Sequence, residues 1–403
     1  MSKSNETTPN VPTLRFAEYT DEWHKYALSD FVTRITRRNK NNESSLPLTI
    51  SAQYGLVDQI TFFNKTVASV DLSGYYLLYN GDFAYNKSYS NDYAWGAVKR
   101  LDKYEKGCLS SLYFVFRPTD KVDSDYLTHY FETSKWHKGI SDIAGEGARN
   151  HGLLNMAVDD YFATKHYLPS LSEQKKIACF LNLITKRIEI QNKIISDLKV
   201  LKKELCNKLF ISSYCDKTIE IRQVANVYGG YAFNSKTYIS DGKYKIVTIG
   251  NVTGDKYISG DYNRLDILPD NIQKQQILNN GDILISLTGN VGRISVVDGD
   301  NYLLNQRVAK LNVKNNLIKA YIYQYLSNSS FEKDMSNAGQ GAAQKNIKNE
   351  DILSYNIRIP TSQTYLEKID GLLSTYDKLI ANEERILANL YLQKSFLLNA
   401  MFI

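Results

Sequence analysis

The sequence predicts an α+β protein of two tandem units, each a globular α/β segment followed by a long α-helix, the two helices pairing as an antiparallel coiled coil. Three observations predict it. First, the stretch after Pro169 recurs after Pro360: with one additional residue near the start of the second copy, an offset of 192 pairs Ile177 with Ile369, Leu181 with Leu373, Ile188 with Ile380, Ile195 with Leu387, Leu198 with Leu390 and Phe210 with Phe402. Second, the apolar positions in each copy step by three and four, the coiled-coil period. Third, each copy follows a segment of short β-rich runs separated by Gly, Asn and Asp turns.

Taken along the chain, residues 1–13 are polar and are expected to be a flexible N-terminus, without the apolar core of a secretion signal. Residues 14–169 form the first globular segment, with strands expected at Tyr75–Tyr79 and Leu112–Phe116. Residues 170–212 form the first rod, opened by Leu168-Pro169, because a residue before proline is held extended and proline suits a helix start. Its seam carries Gln191 and Lys202, and the second seam carries Glu383 and Lys394 at the same two slots, where polar residues fix register or partner. Residues 213–360 are the second segment, with strands expected at Tyr244–Ile249 and Ile283–Leu287, and residues 361–403 the second rod. Forty helical residues make a rod of roughly 60 Å. Each segment holds a Gly-Asp turn, LLYNGDFAYN at 77–86 and ILNNGDILIS at 277–286, at an offset of 200. Each also ends in a small-residue loop, GEGARNHG at 145–152 and GQGAAQKN at 339–346.

Composition removes whole classes of function. The 403 residues carry 49 Lys+Arg against 43 Asp+Glu, a net charge of +6, with 43% hydrophobic residues and only 23% charged, an ordinary composition for a folded protein. Cys108, Cys179, Cys206 and Cys215 show no paired-thiol spacing, which together with the lack of a long apolar run points to the cytoplasm. No two of the seven prolines adjoin, so the Pro-Pro motif of amino-methyltransferases is absent, and no Gly-Lys precedes Ser or Thr, which removes the P-loop. The five histidines do not cluster, so no zinc site is expected. Glu173-Gln-Lys175 with Asp159 and Asp160 imitates a metal-nuclease pattern, but these carboxylates read better as first-turn helix residues. No catalytic centre, metal or cofactor bound by this chain is expected.

The remaining signal is for binding. Net charge is −1 over 14–169, +5 over 170–212, +3 over 213–360 and −1 over 361–403, so any nucleic-acid surface on the first segment must be a face of it. Candidates there are Arg34, Arg37, Arg38 and Lys40; Tyr85, Asn86, Lys87 and Ser88, with Trp95 nearby; and Arg149, Asn150 and His151. In the second segment they are Lys236 with Asn234 and Ser235; Ser286, Thr288, Asn290 and Arg293; Gln306 and Arg307 beside Asn305; and Gln344, Lys345 and Asn346. Arg, Lys, Asn and Gln can fork onto purine edges in the major groove, and Gly-bearing loops bring backbone N–H groups to phosphate. A pure coiled-coil interaction protein, or the DNA-recognition module of some other assembly, would share several of these features.

The order of segment, rod, segment, rod, the opening LRFAEYTDEWHKYALSDF, the SLTGNVGR turn and the LPSLSEQKKIACFL helix start resemble the DNA-specificity subunit of Type I restriction–modification systems. The resemblance spans residues 14–403; the order of elements is highly specific, each short motif alone weakly so. It implies that the globular segments are target-recognition domains, each reading half of a bipartite, asymmetric site in double-stranded DNA. It implies that the rods set the spacer and dock two modification (methyltransferase) subunits through Ile177, Leu181, Ile188, Ile195, Leu198, Ile369, Leu373, Ile380, Leu387 and Leu390. Restriction subunits then join, and S-adenosylmethionine, ATP and Mg belong to the partners, so this subunit is not itself the enzyme. The second rod departs from the pattern, with QTYLEK at 363–368 where the first has SEQKK.

Overall fold

A computed structural model describes residues 10–65, 67–89, 93–145, 152–339 and 345–403. The chain divides into two compact units: residues 1–191 with 387–403, and residues 192–386. Both rods are single helices, Leu171–Phe210 and Gln363–Ala400, and each contributes to both units. Residues 1–9 of the expected flexible N-terminus lie outside the described residues.

The two units repeat one strand plan. In the first, an antiparallel sheet runs in the order Val32–Arg34, Phe114–Pro118, Phe83–Asn86, Ala97–Arg100. In the second, the order is Ala225–Gly229, Val308–Val313, Ile283–Ser286, Ile294–Val296. Each segment is closed by pairing its first strand with the strand that leads into the rod: His24 faces Leu168, and Lys217 faces Ile359. A second four-stranded sheet, Asn263–Leu265, Tyr244–Val247, Tyr302–Leu304 and Ile277–Leu278, occurs in the second unit; the first has instead the pairs Leu48–Ser51 with Gly55–Asp58 and Tyr76–Tyr79 with Lys106–Leu109.

The Gly-Asp turns take the same form in both. Gly81 and Gly281 sit at φ of +86° and +83°, where a side chain would strain the backbone. Gly81 donates to the Leu101 carbonyl and Leu101 back to that of Asp82, as Gly281 and Val297 do with Asp282. The buried Asp82 carboxylate accepts from the Tyr79 amide (2.8 Å), Arg37 (2.9 Å) and Arg117 (2.6 Å). Asp282 accepts from the Asn279 amide (2.8 Å) and pairs with Lys310 at 2.5 Å.

The rods are held by the segments they touch. Within the second unit, Lys202 pairs with Asp377 and Lys199 with Glu384, so the helices run antiparallel there. Phe210 packs on Tyr321 and Tyr325 of the helix Asn316–Leu326 at 5.7 and 4.7 Å. In the first unit Phe402 meets Tyr126 at 5.2 Å, Tyr130 at 6.0 Å and Trp23 at 6.5 Å. Seam residues are accordingly buried at Ile177, Leu181, Ile184, Ile188, Gln191 and Ile195, and at Ile369, Leu373, Ile380, Leu390 and Leu397. The two lysine slots are ion-paired, Lys202 to Asp377 and Lys394 to Glu132 (2.9 Å).

The first rod's SEQKK start is a clamp. Arg15 grips the buried Glu173 through two bonds of 2.7 Å, and Gln174 accepts from the Asp123 amide at 2.8 Å while donating to the Pro169 carbonyl. This occupies Glu173 structurally, and among the described residues no group of His, Cys, Asp and Glu could hold a metal. At the matching place of the second rod, Leu366 enters the core and the tilted rings of Tyr365 and Tyr214 pack with centroids 4.4 Å apart, so the departing sequence packs where the first one hydrogen-bonds.

Candidate nucleic-acid interface

The sites expected from the sequence divide by what their side chains already touch. In the first segment, Arg34 and Lys40 are exposed and have no ion-pair partner among the described residues. Arg37 and Arg38 carry structural duties: Arg37 holds Asp82 and lies 4.3 Å over the Tyr79 ring, and Arg38 lies 4.3 Å over Tyr76 and donates to the Gly74 carbonyl at 2.6 Å. Both remain partly exposed, so each presents a cation in a fixed place. Such ring-seated guanidinium groups lose little entropy on meeting a phosphate or base.

Tyr85 is a correction. It is 0% exposed, stacked on Tyr161 with centroids 4.7 Å apart, and its hydroxyl donates to the Trp95 carbonyl at 2.9 Å, so it is a core residue with no surface to offer DNA. Its neighbours are closer to solvent. Asn86 accepts from the Ser88 amide at 2.9 Å, Ser88 is exposed, and Lys87 lies 4.8 Å over the Phe114 ring, where burial lowers its pKa. Arg149, Asn150 and His151 lie outside the described residues.

In the second segment the loops converge. Leu287 donates to the Arg307 carbonyl (3.0 Å), Ile347 to the Leu287 carbonyl (3.0 Å) and Gly289 to the Lys345 carbonyl (3.3 Å), while Thr288 bridges Asn346. Tyr231 donates to Leu304 and accepts from the Gln306 amide, which ties the strand leading to the Asn234–Lys236 turn to the same edge. Gly230 is required there, since a Cβ would lie 2.1 Å from the Asn305 carbonyl oxygen. One sheet edge therefore presents exposed Asn290, Gln306, Arg307, Lys345 and Asn346. Lys236 is exposed on its own turn, with its amide bound to the Asn234 side chain at 3.1 Å.

Two further corrections fall here. Ser286 is buried and spends its hydroxyl on the Asn290 carbonyl (2.5 Å) while accepting from the Arg293 amide (3.0 Å), so it shapes the turn. Thr288 is buried as well, and its hydroxyl finds no partner among the described residues. Gln344 lies outside the described residues. Two residues with no signature in the sequence complete the edge: Glu332 holds Arg293 at 3.2 Å and Ser336 accepts from Lys345 at 2.6 Å, both from the helix Ser329–Ala338. They lie 39 and 9 positions from the cations they hold, so only the fold joins them.

The rods show a face the sequence reading did not single out. Of the seam residues, Ile177, Leu181, Ile188, Ile195, Ile369, Leu373, Ile380 and Leu390 are buried and Leu198 and Leu387 half-buried. Exposed apolar side chains instead recur on the first rod at Leu183 and Ile190 in the first unit and Ile194, Val200 and Leu201 in the second. On the second rod Leu372 and Leu379 are exposed in the second unit, and Leu392 and Phe396 in the first.

Residues 217–391 match the family model described as the Type I restriction modification DNA specificity domain. A curated relative, the Type I restriction enzyme MjaVIII specificity subunit of Methanocaldococcus jannaschii, is 24% identical over 283 residues; the match spans 64% of this chain and 64% of that relative's length. Among solved structures, the S subunit of a Type I restriction–modification system from M. genitalium superposes with a TM-score of 0.54 at 16% identity, covering 98% of this chain and 99% of that one. A chain from a structure described as underlying complex assembly and conformational transition of the Type I R-M system also gives 0.54 at 16% identity, covering 94% and 96%.

Proposed function

We propose that the chain is a specificity subunit of the Type I restriction–modification kind and reads a bipartite, asymmetric DNA target, one half-site per globular segment; the match of residues 217–391 to the specificity-domain model supports this reading. The observation that carries this reading is the edge of the second segment, where Asn290, Gln306, Arg307, Lys345 and Asn346 are gathered by backbone hydrogen bonds onto one rigid rim. Three carboxamide-bearing loops and two cations on one rim can position a duplex by its phosphates and read purine edges by forked hydrogen bonds. In the first segment the seated Arg37 and Arg38, with free Arg34 and Lys40, supply the corresponding cations.

In this reading the chain performs no chemistry. Two modification subunits dock on the rods through the exposed apolar stripes and methylate one adenine in each half-site with S-adenosylmethionine, which they bind themselves. Restriction subunits, with their own ATP and Mg, join that complex.

Methylome sequencing of cells with and without this chain tests the proposal. The expected result is loss of one split methylation motif when the chain is absent. Exchanging residues 216–359 for those of a relative should change one half of that motif and leave the other. Alteration of both halves, or no motif that depends on the chain, would refute it.

A further inference from the structure

Each unit contains a cleft of nearly the same size, about 700 Å3 in the second and about 690 Å3 in the first. Both lie within the range of sites that hold a folded-in side chain or ligand. Their walls are built from equivalent positions. Lys199, Lys202, Lys203 and Cys206 of the first rod line one cleft, and Tyr391, Lys394, Ser395 and Leu398, each 192 residues later, line the other. Opposite them stand Ser327, Asn328 and Ser329 in the second unit and Glu132, Thr133 and Ser134 in the first, offset by 195.

The charges repeat although the residues supplying them do not. In the second unit the buried Asp377 serves Lys202 and lies 4.0 Å from Lys256, while one of its oxygens also accepts from Gln324 at 2.7 Å. In the first, Glu132 pairs with Lys394 at 2.9 Å and holds its own pKa down to about 2, since Lys394 and His129 overcome the effect of burial. Lys99 lines the same cleft half-buried, without a hydrogen-bond or ion-pair partner among the described residues. Burial pulls its ammonium down and the charge of Glu132 pushes it up. The second-unit cleft sets Lys199, Lys202, Lys203 and Lys256 against Asp255, Asp377 and Glu384, and the first sets Lys99 and Lys394 against Glu132, so each is left with one positive charge in excess. Aromatic and apolar walls, Trp136 and Tyr391 in one and Tyr323 and Ile380 in the other, suit a protein side chain better than a hydrated phosphodiester.

We propose that each cleft receives an acidic segment of one modification subunit, its carboxylate completing the charge of Lys99 in the first unit and Lys256 in the second. This rests on the functional reading above. Two clefts of one design call for two copies of one occupant, whereas the reading loops differ because the two half-sites differ.

Native mass spectrometry of the full chain co-expressed with its modification subunit tests it. Wild type should carry two modification subunits. Lys99→Gln and Lys256→Gln should each carry one at concentrations that just saturate wild type, the affected site being roughly a hundredfold weaker; the double variant should carry almost none, and Lys99→Arg should recover the second copy. Two full-strength copies on both single variants would overturn the proposal. So would intact stoichiometry with weakened duplex binding, which would make the clefts phosphate sites. A wild-type chain that binds no modification subunit would overturn the functional reading itself.

Discussion

Asp82 and Asp282 show how much a single carboxylate does in this fold. Each closes its own turn through a backbone amide and fixes a basic side chain from a neighbouring strand, Arg117 or Lys310. Asp82→Ala leaves two guanidinium groups and an amide without their acceptor and is expected to cost about 3 kcal/mol, read as a fall in urea midpoint at unchanged slope. His166 is a second sensitive point. It is buried between the Tyr130 hydroxyl (2.7 Å) and the Thr164 hydroxyl (2.8 Å), and burial pushes it down to about 4. The unfolded chain takes up this proton near pH 6.5 and the folded one near 4, so stability is complete above pH 6.5 and declines as pH falls through that window. The loss amounts to about 3 kcal/mol at the acid end. Urea titrations at pH 7, 5.5 and 4 should show it, and His166→Gln should flatten the profile; an unchanged slope in that variant would place the effect elsewhere.

At the scale of elements, the rods divide into an inner and an outer face with different consequences. Leu373→Ala, at a fully buried seam position, should cost about 2–5 kcal/mol, whereas Ile190→Asp on the outer stripe should leave stability within about 0.5 kcal/mol and weaken binding of modification subunits. Circular-dichroism melts and co-purification separate the two. Lengthening both rods by one heptad keeps the seam in phase and adds about 10 Å, which should widen the spacer of the DNA target by about three base pairs. The inner face was legible in the sequence, because a 3.5-residue period survives any surroundings. The same holds for the Gly-Asp turns, whose glycines answer a local backbone demand. Tyr85, Ser286 and Thr288 were misread for the opposite reason. They stand at or beside the ends of strands buried on both faces, where no alternation marks which side chains turn outward. Glu332 and Ser336 could not be read at all, since nothing local announces which distant cation a helix will hold.

For the whole molecule, the modest net charge of +6 conceals its division. The first segment is slightly acidic, so on the proposed function it would meet DNA by a face, and Arg34→Ala and Lys40→Ala should each lower affinity on all sequences alike and flatten the salt dependence by about one ion, as fluorescence anisotropy across a salt series would show. Base-reading positions such as Arg307 should instead alter preference at one half-site. The division into units also crosses the order of the chain, because residues 387–403 belong with the first segment and not with the second that precedes them.

The contact of Trp23 and Tyr126 with Phe402 then has a consequence in time. A ribosome adds about 5–20 residues per second, so the segment made first waits roughly 10–50 seconds for the aromatic residue that seals it. Through that interval its core is open beside Trp23, while the second segment already has Phe210 in hand. The first domain to leave the ribosome is the last to close, and a nascent chain that stops short of residue 402 exposes that vacancy to chaperones and proteases.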